Sequence, residues 1–181
     1  MSLNLFMPLA EGQSIPFEVY KSLSTQTIPT RIIPCVSEGV INSNGGVIRH
    51  IDRNAKIFSE VINRNKIPEL IVTLGITDEY LIMQDRDAEH LYEDNFEKAI
   101  AFLDNNKDYA AIALPSSRAF DRRKHVIITC VVFRTEFMKT FKFRDLPEMH
   151  TCDSTYKDII ASGHKYDYLV HDKILINELK D

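Results

Sequence analysis

The sequence has few cysteines, no long apolar run and no excess of basic residues, and each absence excludes a class of protein. Cys35, Cys130 and Cys152 are an odd number without Cys-x-x-Cys spacing, so we expect neither a disulfide framework nor a zinc knuckle. The longest nearly apolar run, Val126 to Phe133, is too short to span a bilayer. Met1 to Ala10 lacks the basic residues that begin an export signal. These features predict a protein without a membrane span in a reducing, cytoplasmic setting.

The charge and size of the chain narrow its class further. With 22 basic against 26 acidic residues, the formal net charge is −4, which argues against nucleic acid as the main partner. The chain has 181 residues, which is too short for two ordinary domains. Its hydrophobic share of 44% is enough to build one sizeable core. We therefore expect residues 1–181 to form a single domain.

Short apolar runs alternate with segments of helical spacing, and this alternation is typical of an α/β fold. The predicted strands are Leu3 to Pro8, Arg31 to Ser37, Glu69 to Leu74, Tyr80 to Gln84, Tyr109 to Leu114, His125 to Phe133, Tyr166 to Val170 and Ile174 to Ile176. The predicted helices are Phe17 to Leu23, Val47 to Ile62, Glu89 to Asn106 and Ser154 to Ser162.

Glycine and proline mark the ends of several of these segments. Pro34 removes a backbone donor from its strand and predicts a bulge or an edge position. The stretch from Glu38 to Gly46 is rich in glycine and asparagine and is predicted to be a loop. Gly163 is predicted to end its helix in the left-handed conformation.

A pair of carboxylates, Asp85 and Asp87, directly follows the predicted strand Tyr80 to Gln84. The carboxyl ends of strands are where open α/β sheets bind ligands. With 14 aspartates in the chain, about one Asp-x-Asp is expected by chance, so the tripeptide alone is a weak motif. One interpretation is a solvated turn with Asp87 near the N-cap of the next helix. The other is a site for a hard cation such as Mg²⁺ or Mn²⁺, completed by the phosphates of a ligand.

The order of these elements resembles a GT-A glycosyltransferase domain, the nucleotide-diphosphosugar transferase fold, from the first strand to about His171. Leu3 to Ser37 is similar to the nucleotide-binding half, and Tyr80-Leu-Ile-Met-Gln-Asp-Arg-Asp87 is similar to the strand that delivers the family's Asp-x-Asp motif. His125 to Arg144 resembles the later strand and aromatic segment, and Cys152 to Lys165 resembles the helix headed by an acidic residue. The resemblance implies a three-layer α/β/α sandwich with a mixed, mostly parallel sheet.

The resemblance also implies an activity, the transfer of a sugar from a nucleoside diphosphate sugar to a hydroxyl acceptor. Asp85, Arg86 and Asp87 would then bind the donor, with Mn²⁺ or Mg²⁺ held by the two carboxylates. His171 would match the late histidine that completes the metal site in some members. Asp153 would match the general base of inverting members, and its alternative interpretation is a simple helix N-cap residue.

Two groups of basic residues are candidates for binding a diphosphate or an anionic acceptor, although solvated charge is the usual role of such groups. Arg122 and Arg123 belong to the first, which is made up of Arg118, Arg122, Arg123, Lys124 and His125. The second is made up of Lys139, Lys142 and Arg144.

The sequence departs from the family pattern in three places. Inverting members often carry an Arg-Asn dipeptide about fifteen residues before Asp-x-Asp, and Arg53-Asn54 lies much farther upstream, so no role is assigned to it. Cys152-Asp153 stands where a Glu-Asp dipeptide is usual. Only ten residues follow His171, where the family's acceptor-shaping tail is normally found.

Three other functions are compatible with the same residues. The short chain favours a non-catalytic binding or assembly module that keeps the sheet without the chemistry. A sugar nucleotidyltransferase normally has a glycine-rich, basic loop after its first strand, whereas Ala10 to Pro16 has one glycine and no basic residue. A metal-dependent phosphoesterase would need further ligands near Asp85, and the nearby acidic residues are Asp78, Glu79 and Glu89.

Overall fold

The computed structural model describes residues 2–9, 14–36, 39–41, 47–49, 64–115, 130–144 and 151–169, of which 36, 39–41, 47–49 and 151–153 are described by their backbone alone. The strands are β1 (Leu3–Leu9), β2 (Thr30–Val36), β3 (Gly39–Ile41), β4 (Val47–Arg49), β5 (Tyr80–Gln84), β6 (Tyr109–Ala113), β7 (Cys130–Arg134) and β8 (Lys165–Tyr168). The helices are α1 (Phe17–Ser24), α2 (Ile67–Thr73), α3 (Asn95–Asn105), α4 (Thr135–Met138) and α5 (Thr151–Ala161).

Six of these strands form one mixed, mostly parallel sheet in the order β2-β1-β5-β7-β6-β8. Strands β1, β2 and β5 pair in parallel, as do β6 and β8, while β7 is antiparallel to both of its neighbours. Five strands therefore point their carboxyl ends at the same edge of the sheet, which we call the carboxyl edge. Strand β2 lies at one side of the sheet, which confirms the edge position predicted from Pro34.

Helices cover both faces of the sheet because side chains alternate between the faces along each strand. On one face, Leu5 and Ile82 pack with Val19 of α1 and Phe96 of α3. The other face buries the second set of strand side chains against α2, α4 and α5, represented by Phe6, Leu81, Ile71, Met138 and Ile159. This arrangement is a three-layer α/β/α sandwich. No helix among the described residues is long and apolar enough to cross a membrane.

The prediction of a strand from Glu69 to Leu74 is wrong, because these residues belong to helix α2 and its C-cap. Its buried residues, Ile67 and Ile71, are four apart, and Val72 is 71% exposed, which is the period of a helix and not of a strand. Pro68 occupies the first turn, where a missing backbone donor costs nothing. Gly75 then ends the helix with a φ of +61°, and the Ile76 N–H donates to the Ile71 carbonyl at 2.9 Å.

Two further predictions needed correction. Val47 does not begin a helix, because it begins strand β4 (Val47–Arg49). Its antiparallel partner, β3 (Gly39–Ile41), lies within the stretch from Glu38 to Gly46 that was predicted to be a loop. The helix predicted from Glu89 begins instead at Asn95. Residues 88–94 are held outside the helix by backbone contacts, including a hydrogen bond of 2.8 Å from the Thr27 N–H to the Glu93 carbonyl.

The remaining strand and helix predictions are confirmed where the structure describes them, with boundaries shifted by a few residues. Gly163 has the predicted positive φ, at +84°, after α5. The predicted helical stretch from Ile51 to Ile62, the first part of His125 to Phe133 and the strand Ile174 to Ile176 lie outside the described residues.

Candidate functional site

The Asp85-Arg86-Asp87 tripeptide lies at the carboxyl edge, directly after the central strand β5. It begins a tight turn in which the Ala88 N–H donates to the Asp85 carbonyl at 3.2 Å. The Gln84 Nε2 donates to the Ala88 carbonyl at 2.7 Å, so the last residue of β5 ties down the far end of the turn. The prediction that Asp87 lies near the N-cap of the next helix is wrong, because that helix begins only at Asn95.

Asp85 forms an ion pair with a buried arginine. The Arg64 Nη2 donates to Asp85 Oδ1 at 2.8 Å, and the two side chains are 3% and 17% exposed. The Arg64 guanidinium also lies over the Phe143 ring, 5.8 Å from its centroid. Phe143 is fixed in turn by Asn65, which donates to its carbonyl at 3.0 Å and accepts from its N–H at 2.8 Å. The direction of the Asp85 carboxylate is therefore set by a packed, hydrogen-bonded neighbourhood.

Arg64 and Asn65 were missed by the sequence analysis, although the sequence carried a signal for them. They form an Arg-Asn dipeptide, and Asn65 lies twenty residues before Asp85. This spacing is much nearer to the family pattern than that of Arg53-Asn54, which lies outside the described residues. Arg64 is in contact with Asp85, and Asn65 is bonded to Phe143 beside it.

A second set of four polar side chains lies beside the Asp85 turn, three of them fully buried and the fourth, His90, half-buried. His90 Nε2 lies 2.9 Å from Gln84 Oε1, and His90 Nδ1 lies 3.0 Å from Asn95 Nδ2. The Cys130 thiol also donates to Gln84 Oε1, at 3.5 Å. Gln84, Asn95 and Cys130 are fully buried, so these contacts replace water. We call these four side chains the Gln84–His90–Asn95–Cys130 network.

The tautomer of His90 follows from its neighbours. The Asn95 Nδ2 also donates to the Pro115 carbonyl at 3.0 Å, which orients that amide with its N–H groups toward His90 Nδ1. The Gln84 amide is oriented by its bond to Ala88, so its oxygen faces His90 Nε2. The ring therefore accepts at Nδ1 and donates from Nε2, as a neutral imidazole. Burial lowers the pKa of His90 from 6.5 to about 4, in agreement with this state.

Cys130 and His90 do not form a nucleophile and its base, although Sγ and Nε2 are only 3.8 Å apart. Burial raises the pKa of the Cys130 thiol well above its usual value, and the nearby Asp85 charge raises it further. The His90 Nε2 already carries a proton, so it cannot accept one from the thiol. These four side chains therefore have a structural role, and none of them acts as a nucleophile or a base.

Arg86 connects the turn to the segment that follows β1. Its Nη1 donates to the Ser14 carbonyl at 3.3 Å, across the carboxyl edge. Arg86 and Asp87 are both half-buried, as is Asp85. The predicted tripeptide, Arg64 and Ser14, which follows β1 in the sequence, therefore lie together at the carboxyl edge.

Asp153 lies in the first turn of α5, which begins at Thr151, so it is not the residue that caps the helix. Ser154 donates to the Arg144 carbonyl at 3.1 Å, next to the residue that packs on Arg64. Helix α5 leads through Gly163 into β8, which runs parallel to β6, so the first turn of the helix points toward the carboxyl edge. The side chain of Asp153 is not among those described.

Arg122, Arg123 and His171 lie outside the described residues. Within the described part of the chain, no group of three or more histidine, cysteine, aspartate or glutamate side chains is placed to hold a metal ion. Asp85 and Asp87 therefore supply two carboxylates of the kind a hard cation prefers, and further ligands would come from elsewhere.

Comparison with known proteins places this geometry in a known fold. The chain matches a mannosyltransferase from Pyrobaculum calidifontis, PcManGT, solved in complex with GDP-Man and Mn²⁺, with a TM-score of 0.62 and 14% identity over 92% of the chain. It also matches the A197 protein from STIV (TM-score 0.57, 12% identity, 92% of this chain and 81% of that one). The fold is of the GT-A type. No protein-family model and no curated protein matches the sequence.

Another match of this GT-A fold is a CMP:2-keto-3-deoxy-manno-octonic acid synthetase complexed with CTP, a nucleotidyltransferase, with a TM-score of 0.53, 8% identity and coverage of 93% of this chain and 88% of that one. In contrast, the chain spans about half of the mannosyltransferase, 54% of its length. At these identities the likeness concerns the fold alone, a fold shared by glycosyltransferases and nucleotidyltransferases.

Proposed function

We propose that the protein transfers a sugar from a nucleoside diphosphate sugar to a hydroxyl acceptor. The observation that supports this proposal most is the position of Asp85 and Asp87 at the carboxyl end of the central strand of a GT-A fold. Ligands of open α/β sheets bind at this edge. A solved protein of this fold, the mannosyltransferase, contains GDP-Man and Mn²⁺.

Asp85 and Asp87 are the residues we propose to hold Mn²⁺ or Mg²⁺, a role that fits their chemistry. Arg64 contacts Oδ1 of Asp85, and carboxylate oxygens are the ligands that a hard cation prefers. The diphosphate of the donor and water would provide the remaining ligands, as is usual for Mg²⁺. When bound, such a cation neutralises negative charge on the leaving diphosphate.

The remaining roles belong to residues of the chain itself. Arg64 orients the Asp85 carboxylate, and Arg86 ties the turn to the segment after β1. We propose Asp153 as the base that takes the proton of the acceptor hydroxyl, because α5 points its first turn toward the same edge. Arg122 and Arg123 are proposed to bind the donor diphosphate, and His171 to complete the metal site. Cys35 and Cys130 are free, buried thiols, in keeping with the proposed cytoplasmic setting.

Thermal unfolding with a panel of nucleotide sugars tests this function. GDP-mannose and UDP-glucose would each be added with and without MnCl₂. A ligand present at 100 times its Kd stabilises the native state by about 2.7 kcal/mol, which raises the Tm by about 5 to 11 °C for a chain of this size. We expect this rise only when a nucleotide sugar and Mn²⁺ are both present.

The variant Asp85→Asn/Asp87→Asn should lose the rise in Tm, because amides bind a hard cation weakly. A matched control is Glu18→Gln/Glu97→Gln, which removes two carboxylates from exposed positions on α1 and α3 and should keep it. An equal rise in the aspartate variant and the control would refute the role of the two carboxylates. No rise in the unmodified protein with any donor would refute nucleotide-sugar binding itself.

A non-catalytic binding module is the second candidate, and the Arg64–Asp85 ion pair favours it. An arginine that neutralises one carboxylate of the motif weakens the attraction for a divalent cation. The two candidates differ in turnover. The enzyme would release the nucleoside diphosphate from a bound donor, either by transfer of the sugar or by slow hydrolysis. The variant Asp153→Asn would suppress that release. Donor binding with no release under any condition would favour the module.

A sugar nucleotidyltransferase is the third candidate, favoured by the chain's coverage of 88% of the synthetase's length. The segment after β1, Ala10 to Pro16, argues against it, since it has one glycine and no basic residue to hold a nucleoside triphosphate. Release of pyrophosphate from CTP or another nucleoside triphosphate in the presence of a sugar would favour this third candidate over the proposed transferase.

A further inference from the structure

We propose that His90 is a positioning residue for the Asp85 to Ala88 turn, which it holds at the carboxyl edge through Gln84 and Asn95 before any ligand binds. The proposal rests on the proposed function, since the turn carries the two carboxylates assigned to the donor and its cation. His90 lies five residues after Asp85 in the sequence and takes no part in the roles assigned above.

His90 joins the turn to four other elements of the fold. Through Gln84 it is connected to the end of β5 and, by the thiol of Cys130, to the start of β7. Through Asn95 it is connected to the first residue of α3 and to the Pro115 carbonyl beyond β6. The backbone N–H of His90 donates to the Ser22 Oγ of α1 at 3.2 Å. The ring also contacts Phe96 edge-on, with centroids 4.7 Å apart.

The hydrogen bonds run in one direction that ends at the turn. Asn95 donates to His90, His90 donates to Gln84, and the Gln84 amide donates to the Ala88 carbonyl. Each amide is fixed by a backbone carbonyl, so neither can rotate to compensate for a lost partner without breaking another bond. Removal of the imidazole leaves Gln84 Oε1 with only the Cys130 thiol at 3.5 Å among these partners, and it thereby weakens the hold of the Gln84 amide on the Ala88 end of the turn.

Both ring nitrogens are used in these bonds, so His90 is available neither as a cation ligand nor as a proton carrier. Its contribution is to keep Asp85 and Asp87 in place, so that their conformational freedom is already lost when a ligand arrives. Arg64 fixes the Asp85 side chain, whereas the Gln84–His90–Asn95–Cys130 network fixes the backbone of the turn.

The test compares His90→Leu, which removes both hydrogen bonds, with His90→Gln, which retains a donor and an acceptor. His164→Leu is the matched control, because His164 lies in the short connection between α5 and β8, away from the carboxyl edge. Amide hydrogen exchange is measured by NMR at Ala88, whose N–H is bonded within the turn, and at Ile82 in the centre of β5. The affinity for GDP with Mn²⁺ is measured by calorimetry.

We expect His90→Leu to accelerate exchange at Ala88 at least about tenfold, with Ile82 unchanged, and to weaken binding of GDP with Mn²⁺ by at least about fivefold. His90→Gln should restore most of both, and His164→Leu should change neither. Unchanged exchange at Ala88 in His90→Leu, or equal acceleration at Ala88 and Ile82, would overturn the proposal, since the second result indicates a loss of global stability alone.

Two further measurements keep the proposal separate from the proposed function and from failure of a variant to fold. If the unmodified protein does not bind GDP with Mn²⁺, the proposed function is refuted, while the exchange at Ala88 still decides whether His90 holds the turn. If His90→Leu does not fold, the ¹⁵N shifts of the His90 ring in the unmodified protein decide the point. A proton on Nε2 supports the direction of hydrogen bonding, and a proton on Nδ1 overturns it.

Discussion

Acid should destabilise the protein through His90, and the size of the effect follows from its pKa. Burial lowers the pKa of His90 from 6.5 in an unfolded chain to about 4. Between these two values the unfolded chain binds a proton that the native state does not. The free energy of unfolding therefore falls as the pH falls from 6.5 towards 4, and it is insensitive to this group above pH 6.5.

The linkage relation converts the pKa difference into energies. His90 should lower the free energy of unfolding by about 1 kcal/mol at pH 5.5 and about 2 to 3 kcal/mol at pH 4.5, relative to pH 7.5. A protonated ring would place an N–H of Nδ1 against the Asn95 Nδ2, which is already a donor. Two donors cannot satisfy each other, so protonation of the ring would also break this hydrogen bond.

Urea unfolding of the unmodified protein and of His90→Gln, at pH 7.5, 5.5 and 4.5, measures the effect. The variant keeps the chain's other five histidines and all of its carboxyl groups, so their titration cancels in the difference between the two proteins. The stability advantage of the unmodified protein over the variant should shrink by about 1 kcal/mol at pH 5.5 and by about 2 to 3 kcal/mol at pH 4.5. A difference that stays constant to within about 0.5 kcal/mol, or that grows in acid, would refute the neutral state and the lowered pKa of His90.

Three further predictions concern stability and reactivity. Arg64→Leu should lower the free energy of unfolding, measured in urea, by about 2 to 4 kcal/mol, because Asp85 stays largely buried without its ion pair. Arg64→Lys should lower it less, and equal stability of all three proteins would contradict this prediction. Gly75→Ala should cost about 1 kcal/mol in the same assay because its φ is +61°, and Gly75→Asn should cost less. In a Cys152→Ser background, Cys35 and Cys130 should react with Ellman's reagent at pH 8 only as fast as the protein unfolds, since burial raises the pKa of both thiols; rapid labelling in native buffer would contradict their burial.

Much of the fold could be predicted from local patterns because the strands are short, apolar and bounded by turn residues. Tyr80 to Gln84 was predicted with its observed boundaries, and the place of Asp85 at a strand end followed directly from it. The failure at Glu69 to Leu74 has a definite cause, since its apolar residues are too few to distinguish a period of two from a period of four. Pro68 was the informative residue, because proline is favoured in the first turn of a helix.

The candidate site could be predicted only in part because half of it comes from contacts distant in sequence. Arg64 reaches Asp85 across 21 residues, and Cys130 reaches Gln84 across 46. No periodicity indicates such contacts, and Arg64 was found only through its contact with Asp85 in the structure. His90 gave no signal of its own, since its role depends on the orientation of two amides that are fixed by backbone carbonyls.

The charge balance of the site indicates how a cation and a nucleotide would bind there. The carboxylates of Asp85 and Asp87 are balanced by the guanidinium groups of Arg64 and Arg86, so the turn and its ion-pair partner carry no net charge. A divalent cation alone gains little attraction from these four groups together, because Arg64 repels it as strongly as a carboxylate at the same distance attracts it. A nucleoside diphosphate brings the missing negative charge and is itself attracted by both arginines. Arg64 therefore favours joint binding of the two over binding of the metal alone, so Mn²⁺ should stabilise the protein only when a nucleotide is present.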